Sequence, residues 1–203
     1  MISIDMPYPL ATNTWDNDEH EAIQRVINSG NFTMGREVSN FEKNFSEYHK
    51  RKYAVMVNSG SSANLLMVAS LFFKKDSPLQ AGDEVIVPAI SWSTTYTPLS
   101  QYGLKIKFVD VDINTMNFDL EQLSAAISEE TRLIFAVNLL GNPNEFNKID
   151  AIIKGRNIYL IEDNCESLGA EFSGKKTGCF GFLSSFSCFF SHHISTMEGG
   201  LIL

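Results

Sequence analysis

Apolar positions recur along this chain with two periods, and the periods alternate. A helical period comes first: Ala22, Ile23, Val26 and Ile27 fall three and four residues apart on one face. Asp16 and Glu19 have the spacing of a capping box ahead of that face, and Gly30 supplies a stop after it. Val38, Phe41, Phe45 and Tyr48 mark a second helical face. Short β-rich runs then appear at 53–57, 84–87, 106–111, 133–137 and 158–161. Between them the helical period returns, over 61–73, 93–102, 120–127 and 144–154, the last with Ile149, Ile152 and Ile153 on one side.

Apolar strands that alternate with amphipathic helices predict an α/β fold of three layers, a mostly parallel sheet flanked by helices. Ligands of such sheets sit beyond the carboxyl ends of the strands. The residues that follow each strand are therefore where chemistry is expected. Asn58-Ser59-Gly60-Ser61-Ser62 follows the first. Small residues there let a ligand approach the backbone, and a helix starting near Ser61 would offer free N–H groups to a phosphate. The same stretch also suits an ordinary strand–turn–helix junction. Trp92 follows the second strand, placed either to stack on a flat ligand or to fill the core. Glu162 and Asp163 follow the last, and period-two alternation turns them to opposite faces. An acid in that place needs a cation or a donor, so Asp163 suits a protonated ring nitrogen or the cap of a following helix.

The composition narrows the field. A chain of 203 residues that is 44% hydrophobic suits one sizeable core, and no Pro/Gly/Ser-rich linker divides it. A net charge of −8 argues against a broad basic surface, hence against nucleic acid, while leaving room for a local pocket for a small anion. The first eleven residues lack the basic and apolar regions of a leader peptide, and the longest apolar stretch, 65–73, is too short to span a bilayer. A cytoplasmic location with no membrane partner is expected. The three cysteines, Cys165, Cys179 and Cys188, are odd in number and show no CxxC spacing, so free, buried thiols are expected in place of disulfides or zinc.

One stretch fits none of this directly. Residues 187–200 read SCFFSHHISTMEGG, two adjacent histidines between an aromatic run and Gly-Gly, with no lysine from 181 to 203. Taken with SGSSAN, Trp92 and EDNCES, in that order and spacing, it resembles the sugar aminotransferase and dehydratase family of pyridoxal-phosphate enzymes. The resemblance covers essentially the whole chain. It implies the large domain of the aspartate-aminotransferase-type fold, called fold type I. In the aminotransferases the last motif carries a lysine that holds the cofactor covalently. Counted back from the Gly-Gly, His192 occupies that place. The histidine-bearing branch contains sugar 3-dehydratases that use pyridoxamine phosphate. GNFTMG, VPAISWSTTY and NLLGNPN strengthen the likeness to members acting on GDP-4-keto-6-deoxy-D-mannose, on the route to colitose, a lipopolysaccharide (O-antigen) sugar.

By position, the resemblance implies His192 as the base. Gly60, Ser61 and Ser187 would hold the phosphate of pyridoxal 5'-phosphate or pyridoxamine 5'-phosphate. Trp92 would stack on the pyridine ring, Asp163 pair with its nitrogen, and Glu166 contact its hydroxyl. Gly30, Asn31, Phe32 and Thr33 would lie near the nucleotide sugar, and Ser191 and His193 near the site. L-Glutamate would regenerate the amine form, no metal would be bound, and a homodimer would share the active site. Family members are about twice this long. Residues 1–203 are thus expected to be a cofactor-binding large domain, incomplete at its C-terminus and without the small domain, with Leu201-Ile202-Leu203 left exposed. Three alternatives stay open: an iron–sulfur-assisted CDP-sugar 3-dehydratase, an ordinary sugar aminotransferase, and a non-catalytic truncated member of the fold.

Overall fold

A computed structural model describes residues 12–203; the leader-peptide expectation on residues 1–11 lies outside them. The first helix, α1 (Asn17–Ser29), starts with the expected capping box, in which Asp16 accepts from the backbone and Glu19 returns the bond to the Asp16 N–H. Gly30 ends it in the left-handed conformation, at φ 66°. Helix α1 has no buried residue, whereas α2 (Arg36–Tyr48) buries Phe45 against the sheet-side aromatic Phe186.

The alternation predicted for the rest is present. It runs β1 (Val55–Val57), α3 (Gly60–Phe72), β2 (Glu84–Pro88), α4 (Ser93–Gln101), β3 (Lys105–Val109), α5 (Leu120–Ala126), β4 (Thr131–Val137), α6 (Phe146–Ile153) and β5 (Tyr159–Asp163). A small hairpin, β6 (Glu171–Phe172) and β7 (Lys175–Lys176), precedes β8 (Leu183–Ser187) and β9 (Gly200–Ile202). The main sheet has seven strands in the order β1-β9-β8-β5-β4-β2-β3. The contacts β8–β5, β5–β4, β4–β2 and β2–β3 are parallel, and β9 alone runs antiparallel to its neighbours.

Two apolar cores cover the faces of the sheet, one built with Met67 and Leu71 of α3 and Leu99 of α4, the other with Leu123 of α5 and Phe146 and Ile149 of α6. Helix α3 is apolar on most sides because it lies between the sheet and α4. The expectation of exposed residues at 201–203 is overturned. Strand β9 inserts between β1 and β8, which leaves Leu201 fully buried and Leu203 6% exposed. Its neighbour β8 escaped the apolar pattern because Ser184 and Ser185 occupy buried positions. Their hydroxyls donate to the carbonyls of Gly178 and Glu162, which replaces the water they give up.

Candidate active site

Six strands deliver their carboxyl ends to one edge of the sheet, and a cavity of about 420 Å³ opens there beyond five of them. Its wall includes Ser59, Gly60 and Ser61 after β1, Ser91 and Trp92 after β2, Asn138 after β4, Asp163 at the end of β5, and Ser187 at the end of β8. Phe189, Ser191, His192 and Glu198 come from the loop between β8 and β9, and Cys165 and Glu166 from the turn after β5. Every residue expected at the cofactor or as base is in this wall. Gly30, Asn31, Phe32 and Thr33 are not: they form an exposed turn between α1 and α2, Phe32 being 71% exposed.

The α3 end of the cavity is formed by the first turn of that helix. Ser59 caps the helix by accepting from the Ser62 N–H, while Ala63 N–H bonds to the Ser59 carbonyl. The N–H groups of Gly60 and Ser61 belong to the first turn, which has no intrahelical acceptor for them. Glycine is required here by crowding. A Cβ at Gly60 would stand 2.7 Å from Cys165 Sγ and 2.7 Å from Ser187 Cβ. The Gly-Gly after the histidines has the same cause, since a Cβ at Gly200 would run into the backbone of Ser59 and lie 2.7 Å from Gly60 N.

Opposite the helix end lies Asp163, 6% exposed. Its Oδ2 accepts from Asn64 Nδ2 at 2.8 Å and from Thr95 Oγ1 at 2.9 Å, and its Oδ1 from the Cys165 N–H at 3.1 Å. No helix follows it, so the capping role does not apply. Glu162 faces the other way, as alternation required. Its carboxylate accepts from the backbone N–H groups of Gly178, Phe180 and Gly181 and from Asn138 Nδ2. Burial pushes the Glu162 carboxyl up, and those donors pull it back. NLLGNPN and EDNCES are joined here, because Asn138 also donates to Asn164 at 2.8 Å and accepts from Asn144. Trp92 is not a core residue. It is the N-cap position of α4 and is 76% exposed, a flat face at the cavity mouth.

Glu166 is held by an unusual turn. Its Oε2 accepts from the N–H of Leu140 at 2.9 Å, and Leu140 adopts φ 52°, a left-handed conformation that branched or bulky residues rarely take. His192 lies half-buried in the wall. Burial lowers its pKa below 6.5, the positive charge of a protonated His193 works the same way, and Glu166 and Asp163 oppose the shift. A neutral imidazole in a cavity is the form that accepts a proton. No lysine lines the cavity. A second, more polar cavity of about 450 Å³ shares Ser191 and His192 with the first, and is also lined by Thr12, Thr14, Trp15, Glu19 and His193. No cationic side chain of lysine or arginine lines it.

Cys179 and Cys188 are buried free thiols as expected, but Cys165 borders the cavity, where burial and the Asp163 carboxylate push its thiol well up. Among the described residues, no three His, Cys, Asp or Glu side chains come together as a metal site, and no helix is long and apolar enough to cross a membrane. Sequence reasoning did not find Asn64, Ser91, Thr95, Asn138 or Glu198. The first and third reach the site from within helices, one turn or so past the strand ends, so position after a strand gave no signal for them.

Comparison with known proteins agrees with this geometry. Residues 13–203 match the model of the DegT/DnrJ/EryC1/StrS aminotransferase family. GDP-4-keto-6-deoxy-D-mannose 3-dehydratase of Yersinia pseudotuberculosis is 57% identical over 203 residues, all of this chain and 52% of that protein. The enzyme of the same name from Escherichia coli O55:H7 is 59% identical over 196 residues, 97% of this chain and 50% of that protein. The E. coli enzyme with bound hydrated PLP superimposes with a TM-score of 0.94 at 59% identity, over 97% of this chain and 50% of that one. A histidine-to-asparagine variant of the 3-dehydratase with bound GDP-perosamine gives a TM-score of 0.95 at 59% identity, over 97% of this chain and 51% of that one. The chain spans about half the length of the curated relatives it matches.

Proposed function

The chain belongs to the DegT/DnrJ/EryC1/StrS aminotransferase family, and from that premise we propose that residues 1–203 are the cofactor-binding large domain of a sugar 3-dehydratase. The whole protein would remove the C3 hydroxyl of a nucleotide-linked 4-keto-6-deoxy sugar, GDP-4-keto-6-deoxy-D-mannose, with pyridoxamine 5'-phosphate as cofactor. The observation that carries this reading is His192. A histidine, and no lysine, stands in the wall of a cavity that also presents Trp92, Asp163 and Glu166, in a chain 57% and 59% identical to two such dehydratases.

The residues fit the cofactor. The crowded α3 terminus, where Gly60 has no room for a Cβ, leaves backbone N–H groups and the Ser61 and Ser187 side chains for its phosphate. Trp92 supplies a stacking face, and Asp163, buried and acceptor-only when ionised, suits a protonated pyridine nitrogen. Glu166, anchored by the Leu140 N–H, would contact the ring hydroxyl. When bound, the cofactor supplies an amine that condenses with the C4 ketone and a ring that withdraws electron density as the C3–O bond breaks.

His192 accepts the proton whose removal starts the elimination, and its lowered pKa keeps it ready to do so at neutral pH. Once protonated, it donates to the departing C3 hydroxyl, which leaves as water. A lysine in its place would compete by capturing the cofactor covalently. The nitrogen carried to the sugar would leave as ammonia when the product is hydrolysed to the ketone, and L-glutamate would restore the amine form and depart as 2-oxoglutarate. A homodimer that shares this site is supported by the exposed apolar face of Trp92 in the cavity wall, 76% exposed, and by the exposed Leu140 and Met197, each next in sequence to a wall residue.

The test uses the protein in its natural full length. It is incubated separately with GDP-, CDP- and dTDP-linked 4-keto-6-deoxy sugars, cofactor and glutamate, and loss of the C3 oxygen is followed by mass. Deoxygenation of the GDP sugar, with one 2-oxoglutarate per product, is expected. Preference for the CDP sugar with a requirement for a reductase, or gain of nitrogen with the oxygen retained, would overturn the proposal.

A further inference from the structure

The hydrogen bonds behind Asp163 have a direction, and the direction follows from counting protons. Thr95 Oγ1 is 2.9 Å from Asp163 Oδ2 and 2.7 Å from Ser91 Oγ. A hydroxyl has one proton to give. If Thr95 gives it to the carboxylate, Ser91 must donate to Thr95. Asn64 Nδ2, 2.8 Å from the same Oδ2, has protons only and cannot accept. Thr95 is fully buried and Asn64 1% exposed, so water does not exchange freely with either. The set Ser91 to Thr95 to Asp163, with Asn64 beside it, therefore points every donor at one carboxylate oxygen. Thr95 is also the third residue of α4, whose N-cap position is Trp92. One helix start thus sets both the stacking face and the support of the acid.

We propose that Thr95, with Ser91 behind it, is a positioning residue that holds Asp163 as a charged acceptor toward the protonated ring nitrogen of the cofactor. The inference rests on the cofactor reading above. Removing the Thr95 hydroxyl leaves Oδ2 with Asn64 alone and lets the carboxyl turn away from the ring. That weakens the hold on a cationic ring most where the ring nitrogen is about to lose its proton, on the alkaline side.

The experiment measures pyridoxamine 5'-phosphate binding against pH in the natural full-length protein and in Thr95→Val, Thr95→Ser and Ser91→Ala, with circular dichroism of each. Thr95→Val keeps the shape and removes the hydroxyl. It should weaken binding about tenfold, the size of a hydrogen bond to a charged group, and move the alkaline limb of the binding profile to lower pH. Thr95→Ser should restore both, and Ser91→Ala should show a smaller shift in the same direction. If the parent binds and Thr95→Val or Ser91→Ala leaves the pH limb where it was, the inference is wrong. Should Thr95→Val fail to fold, an unshifted limb in Ser91→Ala overturns it alone. A parent protein that does not bind pyridoxamine phosphate at all overturns the cofactor reading, and this inference with it.

Discussion

Replacing Gly60 by alanine adds one methyl group at the most crowded point of the cavity. The new carbon would sit 2.7 Å from Cys165 Sγ, 2.7 Å from Ser187 Cβ and 3.1 Å from Ser187 Oγ, against a normal carbon contact of about 3.5–4.0 Å. Neither neighbour is the far end of a flexible chain. Cys165 is tied to Asp163 through its backbone N–H, and Ser187 ends a strand paired with Gly200 of β9. The start of α3 must therefore move by close to an ångström, at about 1–3 kcal/mol, the range for overpacking a filled site. The movement also displaces the N–H groups offered to the phosphate, so cofactor affinity should fall together with stability. Urea unfolding of the cofactor-free protein reads the first, and titration with pyridoxamine phosphate reads the second. Cys165→Ala removes one of the two obstructions, so the double variant Gly60→Ala/Cys165→Ala should recover about 1 kcal/mol of the loss, a coupling expected only of neighbours. An unchanged unfolding midpoint and unchanged affinity in Gly60→Ala would refute the reasoning, since both follow from the same collision.

His192→Asn should lower turnover by about 10²–10⁴-fold, the usual contribution of a positioned base, and leave cofactor affinity within about twofold; wild-type turnover would remove His192 from its role. Because burial lowers the His192 pKa, the acid limb of the parent's pH–rate profile should fall below pH 6.5, and a limb above that value would contradict the assignment. Borohydride treatment after loading with pyridoxal phosphate should leave the protein mass unchanged, whereas a stable adduct mapped to a lysine would disprove the lysine-free site. His49 is 3% exposed, its Nε2 has no hydrogen-bond partner among the described residues, and its pKa is lowered from 6.5 chiefly by burial. A group with a depressed folded-state pKa contributes stability above the unfolded value that is lost as pH falls from there toward the folded one. Unfolding midpoints should therefore drop between pH 7 and 5 more steeply in the parent than in His49→Phe, and equal slopes would show that His49 does not titrate in that range.

Much of the sheet, and which residues meet in the wall of one cavity, was legible because both follow from local rules. The capping box of Asp16 and Glu19 marked a helix start, and parallel strands sent Gly60, Trp92, Asp163 and Ser187 to one edge. What escaped depends on contacts between distant residues. Strand β8 was not marked by the apolar pattern because its buried serine hydroxyls find carbonyls that no local pattern reveals. Asn64 and Thr95 lie 99 and 68 residues from the carboxylate they serve. Leu140 carries no sign of its left-handed backbone, which the bond to Glu166 accompanies. Gly30 to Thr33 of the GNFTMG segment match a motif, but they stand in an exposed turn outside the wall of the 420 Å³ cavity.

The insertion of β9 between β1 and β8 also sets an order of assembly. Strand β1 is paired with β9, and Val57 meets Gly200 roughly 140 residues further along, a separation that makes the pairing a late event in folding. Strands β2 to β5 need no such wait, since each parallel contact among them closes over a much shorter loop. On a ribosome the parallel half can form first, while β1 has no strand to join and the Ser59–Gly60 turn lacks the Gly200 backbone that it packs against. The α3 end of the cavity is thus among the last parts to take shape. If it holds the cofactor phosphate as proposed, retention of pyridoxamine phosphate by a nascent chain would report that the sheet has been closed through residue 202.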